Sequence, residues 1–239
     1  METFQEFSNR IKTLTPHLTL GTPGEFFPSK NIDKKVNDNH TFKPYFGDTI
    51  VFNLSEEKRN DIESIAKFLY KDFHEYFAEK INPETYHVTL HDLCSGNDLG
   101  SIAEKIFHNE LKIKNLLKGC QYSHHNIEMQ STSVFNMVGT SIVLGFVPKN
   151  ETEYMKLKDL KHMFHNIHPL NYPFTPHVTL AYFNKKTISR EKKAALYKLL
   201  LELSSTVVTL SLSMDNLFYQ KFTSMNHYYN IFKIEPSSS

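Results

Sequence analysis

The chain has 239 residues, enough for one generous domain or two small lobes sharing a cleft, and a formal net charge of +1 from 27 basic and 26 acidic side chains. That balance excludes a protein that grips long nucleic acid by its phosphates, which takes a strongly basic face. Only three arginines occur, Arg10, Arg59 and Arg190, so an arginine clamp is excluded too, and anion binding falls to lysines, hydroxyls, histidines or backbone amides.

Residues 1–45, rich in Pro, Asn and Lys, read as an irregular extension packed on the rest of the chain. The first twelve of them carry acidic groups and no apolar run, and no later stretch reaches membrane-spanning length, so a cytoplasmic protein with no membrane partner is expected. Cys94 and Cys120 are too few and too isolated for a disulfide framework or a thiolate metal site, and read as reduced structural residues.

From residue 46 one supersecondary pattern occurs twice. The first copy opens at the glycine of Phe46-Gly47-Asp48-Thr49 and runs into the strand Ile50-Val51-Phe52-Asn53-Leu54. Ser55 caps a helix with Ile62, Ile65, Ala66, Leu69, Phe73 and Phe77 at helical spacing, and the breakers Asn82-Pro83 end it. Tyr86-His87-Val88-Thr89-Leu90 is a second strand, Leu99 to Leu117 a further helix, and Asn126 to Val134 a strand.

The second copy opens at Val138-Gly139-Thr140-Ser141 and continues as the strand Ile142 to Val147, with a break at Pro148. A helix carrying Tyr154, Leu157, Leu160, Met163, Phe164 and Ile167 comes next, then Pro169, Pro173 and Pro176, then His177-Val178-Thr179-Leu180. Ser189 to Leu203 reads as helix, and Val207 to Leu212, Asn216 to Phe222 and Tyr228 to Ile234 as strands. The implied fold is α+β: two lobes of antiparallel sheet covered by helices, related by a pseudo-twofold axis. Lobe one spans about 46–135 and lobe two about 136–235, and residues 236–239 form a disordered tail.

Along a strand, His87 and Thr89 point to one face while Val88 and Leu90 point into a core; His177 and Thr179 repeat the arrangement. If the twofold brings those faces together, two imidazoles and two hydroxyls line a cleft with no carboxylate among them. One neutral histidine can then take a proton from an attacking hydroxyl or water while the protonated one supplies a proton to the leaving oxygen, each transfer worth about 10²–10⁴-fold. The threonine hydroxyls can donate to the non-bridging phosphate oxygens, the positioning work that phosphoryl transfer mainly needs.

These residues carry a resemblance to the two-histidine (2H) phosphoesterase superfamily, which is marked by a pair of H-x-[ST]-x motifs, one per lobe of a duplicated fold. Members include the LigT-like RNA cyclic phosphodiesterases, enzymes that degrade 2′,5′-oligoadenylate, and phage enzymes that destroy cyclic oligonucleotide signals. The pattern covers residues 46 to about 235, while only His87-Val88-Thr89-Leu90 and His177-Val178-Thr179-Leu180 match at residue level. The resemblance implies a bilobal LigT-like fold and a metal-independent phosphodiesterase acting on a cyclic nucleotide or short oligonucleotide without a cofactor. It makes His87 and His177 the acid/base pair and Thr89 and Thr179 the phosphate-binding pair. The stretch from Gly21-Thr22-Pro23-Gly24 to Gly47 is similar to a less studied bacterial subgroup.

Further substrate-binding candidates are His91, four residues beyond His87 on the same strand face, together with Tyr219, Lys221 and Tyr122; Asn136 is a weaker one. In a regular strand Tyr86 and Tyr182 fall on the face opposite the histidines. Pro16-His17-Leu18-Thr19-Leu20 is a third H-x-T, but no strand and helix precede it, so it reads as structural, as chance supplies roughly one such match in a chain this rich in histidine. His162, His165 and His168 lie on a helix where His168 turns away from His162, so they read as a solvated face and no metal site is expected; His124-His125 reads as loop. Two rival functions stand beside the main one. The same cleft would suit a module that sequesters a nucleotide without turnover, and His91-Asp92 is the dipeptide of a metal-dependent phosphohydrolase, a class that places it on a helix.

Overall fold

In the computed structural model, which describes residues 2–21, 24–119 and 126–235, the chain begins with helices α1 (Phe4–Thr13) and α2 (Pro16–Thr19). The extension is thus more ordered than its composition suggests, because Thr3 and Glu6 form a capping box at the start of α1. Phe7 and Ile11 of α1 are buried against Val147 and Tyr154. Among the described residues no helix is long and apolar enough to cross a membrane.

The repeat then unfolds as read. Strand β1 (Phe46–Asn53), helix α3 (Glu56–Phe73), strand β2 (His87–Gly96) and helix α4 (Leu99–Leu117) form the first run. After β3 (Ile127–Met137) comes the second run, β4 (Ser141–Pro148), α5 (Glu151–His165), β5 (His177–Tyr182) and α6 (Arg190–Ser204). Strands β6 (Thr209–Leu212), β7 (Leu217–Ser224) and β8 (His227–Lys233) finish it. Each of the four long helices starts on a side chain that accepts an orphan amide: Ser55 from Lys58, Asp98 from Gly100, Asn150 from Glu153 and Ser189 from Lys192. A cap of this kind is worth about 1 kcal/mol.

Two four-stranded antiparallel sheets result, in the orders β2-β1-β7-β8 and β5-β4-β3-β6. The lobes therefore do not divide at residue 135. Strand β3, assigned to the first lobe, lies in the second sheet, and the C-terminal pair β7 and β8, assigned to the second lobe, lies in the first. The cause is the hairpin: Val138 and Gly139 both adopt positive φ, at 45° and 74°, and the Thr140 amide donates to the Met137 carbonyl at 3.0 Å. So tight a turn forces β3 to pair with β4.

Helix α4 packs on β1 and β2, α5 on β3 and β4, and α6 on β3, while α3 reaches across to β5 and α6. One apolar core consequently runs through both lobes, from Ile62 and Leu69 of α3 to Leu196 and Leu200 of α6. Past α3, the Ala78 amide donates to the Tyr182 carbonyl at 2.9 Å, which ties the end of the first helix to the end of the second motif strand.

Candidate active site

Strands β2 and β5 are the edges of their respective sheets and lie close to one another, so the two motifs meet across a cleft. Val88, Leu90, Val178 and Leu180 are buried in the core, which aims His87, Thr89, His177 and Thr179 the other way. All four line one cavity of about 440 Å³.

The two imidazoles are held identically. His87 Nδ1 lies 2.7 Å from the Thr85 carbonyl, and His177 Nδ1 lies 2.7 Å from the Thr175 carbonyl. A carbonyl only accepts, so Nδ1 carries the hydrogen in both rings and Nε2 is left as the nitrogen able to accept or give a proton. The breaks before each motif set up these contacts. Pro83 to Thr85 is a turn of 3₁₀ helix capped by Asn82, and Thr175 is restrained by the proline that comes after it. Burial lowers the pKa of His87 to about 4, with the Thr85 bond acting against it and the neighbouring His177 adding to it. Burial likewise lowers His177, against the Thr175 bond and the Asp92 charge.

Just past each Thr the strands break alternation in the same way. Opposite β1, Ile50 pairs with His91 and Val51 with Thr89; opposite β4, Ile142 pairs with Ala181 and Val143 with Thr179. One extra residue, Leu90 or Leu180, is accommodated as a β-bulge. His91 is thereby turned away from the cleft, contrary to its expected position, and is fully buried with Nε2 at 2.7 Å from the His168 carbonyl. The next residues along, Asp92 and Tyr182, line the cavity instead, so Tyr182 does not sit on the opposite face from the histidines. His91-Asp92 also lies within a strand rather than on a helix, unlike the metal-phosphohydrolase pattern.

Tyr219 and Lys221 are likewise displaced from the cleft. In β7 they alternate with Gln220 and Phe222, and it is Phe222 that lines the cavity. Tyr219 is fully buried, donating to Asp48 Oδ2 at 3.0 Å, and Lys221 pairs with Glu110 of α4 at 2.6 Å. Cys120, Tyr122, His124-His125 and the tail 236–239 lie outside the described residues. His17 and Thr19 form a turn of helix, where Thr19 receives the Asn136 backbone amide at 3.1 Å and its side-chain amide on the carbonyl at 2.6 Å. Both the H-x-T mimic and Asn136 therefore serve as an anchor for the end of β3. Among the described residues no group of three or more His, Cys, Asp or Glu side chains is placed to hold a metal ion.

Several cavity residues escaped the sequence reading. Lys35 and Tyr45 come from the extension, Tyr228 from β8, and Tyr172 from the proline-rich loop before β5. The Tyr228 ring lies 4.9 Å from the His87 ring, and the Tyr172 hydroxyl donates to Asp92 at 2.5 Å. Consecutive apolar residues, Leu180-Ala181, are the one local sign of the bulge; nothing local marks Lys35.

No family model and no curated protein matches the chain. Among solved structures it is similar to a conserved protein of unknown function, ATU0111 from Agrobacterium tumefaciens str. C58, at 14% identity and TM-score 0.69, covering 87% of this chain and 94% of that one. It also aligns with E. coli LigT complexed with 3′-AMP at 14% identity and TM-score 0.48, over 81% of this chain and 99% of that one. The protein TT0787 of Thermus thermophilus aligns at 12% identity and TM-score 0.47, over 80% and 99%. At 14% identity the likeness to the Agrobacterium tumefaciens protein is one of fold.

Proposed function

We propose that this chain is a phosphodiesterase of the two-histidine type, cleaving a nucleotide phosphodiester in a cyclic nucleotide, cyclic oligonucleotide or short oligonucleotide without a metal. The observation that carries the reading is the matched pair: His87 and His177, each with Nδ1 bonded to the carbonyl two residues upstream, each with a threonine beside it, in one cavity. The volume of about 440 Å³ falls in the range of small-ligand sites and supports a short substrate.

In the reaction, one Nε2 takes the proton of the attacking hydroxyl or water as its oxygen bonds to phosphorus. The other histidine, protonated, gives its Nε2 proton to the leaving oxygen as that P–O bond breaks. Both imidazoles are driven toward the neutral form in the empty cleft, and an entering phosphate anion favours the imidazolium that must act as acid. Thr89 and Thr179 donate to the non-bridging oxygens as charge gathers there.

The test is turnover of cyclic mono-, di- and trinucleotides, 2′,5′-oligoadenylate and 2′,3′-cyclic RNA ends, with a chelator present. Product formation that survives chelation and disappears in both His87→Ala and His177→Ala is expected, while His17→Ala stays active. Wild-type rates in both cleft variants would sink the assignment, and binding without turnover of any substrate would make the protein a nucleotide-sequestering module.

A further inference from the structure

Among the described residues lining the cavity, Lys35 is the only lysine or arginine. Its surroundings set it apart from the surface lysines, of which Lys67, Lys114 and Lys185 hold carboxylates at 3.0, 2.5 and 2.5 Å. Among the described residues Lys35 has no ion-pair partner, and its ammonium lies 5.1 Å from the centre of the Tyr45 ring and 5.2 Å from that of Tyr182. Asp92 is near enough to favour the charged form, yet its carboxylate is engaged by Tyr172.

The balance argues against a purely structural role. Lys35 is half-buried, and a cation over aromatic faces recovers only part of the hydration that an ammonium loses there. Burial still lowers the lysine's pKa. An anion arriving in the cleft would supply the missing partner. The backbone is fixed in advance for such a role: the Lys35 amide donates to Ile32 and its carbonyl accepts from Lys43, at 2.9 and 2.8 Å. The segment is also pinned to both halves of the molecule, through Asn97 to the Lys34 carbonyl and through Lys185 to Asp38. A charge so placed costs little to organise when substrate binds.

We infer that Lys35 binds an anionic oxygen of the substrate phosphate, so that the N-terminal extension completes a site otherwise built from the two motif strands. This rests on the phosphodiesterase reading and adds to it the cleft's counter-charge. Beside the two hydroxyls and the imidazolium that acts as acid, this ammonium adds a positive charge from outside the duplicated motifs, in a cavity whose Asp92 carboxylate is already held by Tyr172.

Inorganic phosphate is the probe, titrated into the full chain by calorimetry at several salt concentrations. Lys35→Met is expected to weaken phosphate binding tenfold or more and to flatten its salt dependence, with an unchanged or higher melting temperature; Lys35→Arg keeps most of the affinity. A measurement on the unmutated protein guards against misfolding of the variant: the ammonium of Lys35, followed by NMR after isotopic methylation, should titrate at higher pH once phosphate is added. Wild-type phosphate affinity in Lys35→Met, an unmoved Lys35 titration, or no phosphate binding by the unmutated protein would each overturn the inference. Failure of the two-histidine reading shows separately, as retained turnover in His87→Ala and His177→Ala.

Discussion

In β2 the residue after the bulge is His91 and the next one facing the cleft is Asp92; in β5 the same two places hold Ala181 and Tyr182. Up to the bulge the strands are built alike, with the same buried Val and Leu and the same carbonyl behind each imidazole. Chemistry that needs one proton donor and one acceptor can be served by two equal histidines, but a substrate with two different ends cannot be read by two equal walls. The asymmetry begins where the shared motif stops. On one side stands an acid held by Tyr172, on the other a tyrosine that helps enclose Lys35.

The largest expected effect tests the likeness. His87→Ala and His177→Ala should each cost about 10²–10⁴ in turnover, and the double variant little more than the worse single one, since the pair acts as a unit. Additive losses would mean that the two do not share one reaction. Thr89→Val and Thr179→Val should each lower kcat by about a hundredfold, the cost of one lost donor to a developing oxyanion. A loss confined to one of them would place the phosphate off the pseudo-twofold axis.

Acidity separates the halves further. Burial lowers His91 to about 4 as well, so between pH 6.5 and 4 the unfolded chain binds protons that the native His87 and His91 refuse. Stability should therefore fall as pH drops through that window, by about 1.4 kcal/mol per unit for each such histidine. Urea melts of His91→Gln, which keeps a donor for the His168 carbonyl but cannot titrate, should show a shallower acid slope than the unmutated protein; an identical slope would refute the assignment. Asp92 acts in the other direction on both cleft histidines, and Asp92→Asn should move their NMR titrations to lower pH. The smallest effect concerns the turn that sends β3 to the second sheet. Val138, a β-branched residue at φ 45° and 76% exposed, should gain about 1 kcal/mol on replacement by Asn, measured by thermal unfolding.

Much of the frame is legible in the residues. Ser55 announces the helix it caps, and the helical spacing of Ile62, Ile65 and Leu69 falls on buried positions. The two proline-broken approaches to His-Val-Thr-Leu mark His87 and His177 as equivalent, which separates them from His17. The Val138-Gly139 turn is legible too, but it is a hairpin that joins β3 to β4 rather than the start of a second lobe.

From residue 46 on, local sequence by itself determined the strands, the long helices and the four residues that repeat between the halves, because period, capping and alternation act over a few neighbours; helices α1 and α2 of the extension were not legible in this way. Which face His91, Asp92 and Tyr182 take depended on a bulge created by pairing with β1 and β4, and that register exists only between strands. Tyr219 and Lys221 went to Asp48 and Glu110 for the same kind of reason, since α4 covers the face they occupy. Lys35 lies 52 residues before His87 in sequence and carries no motif; only the folding of the extension across both halves brings its charge to the two histidines.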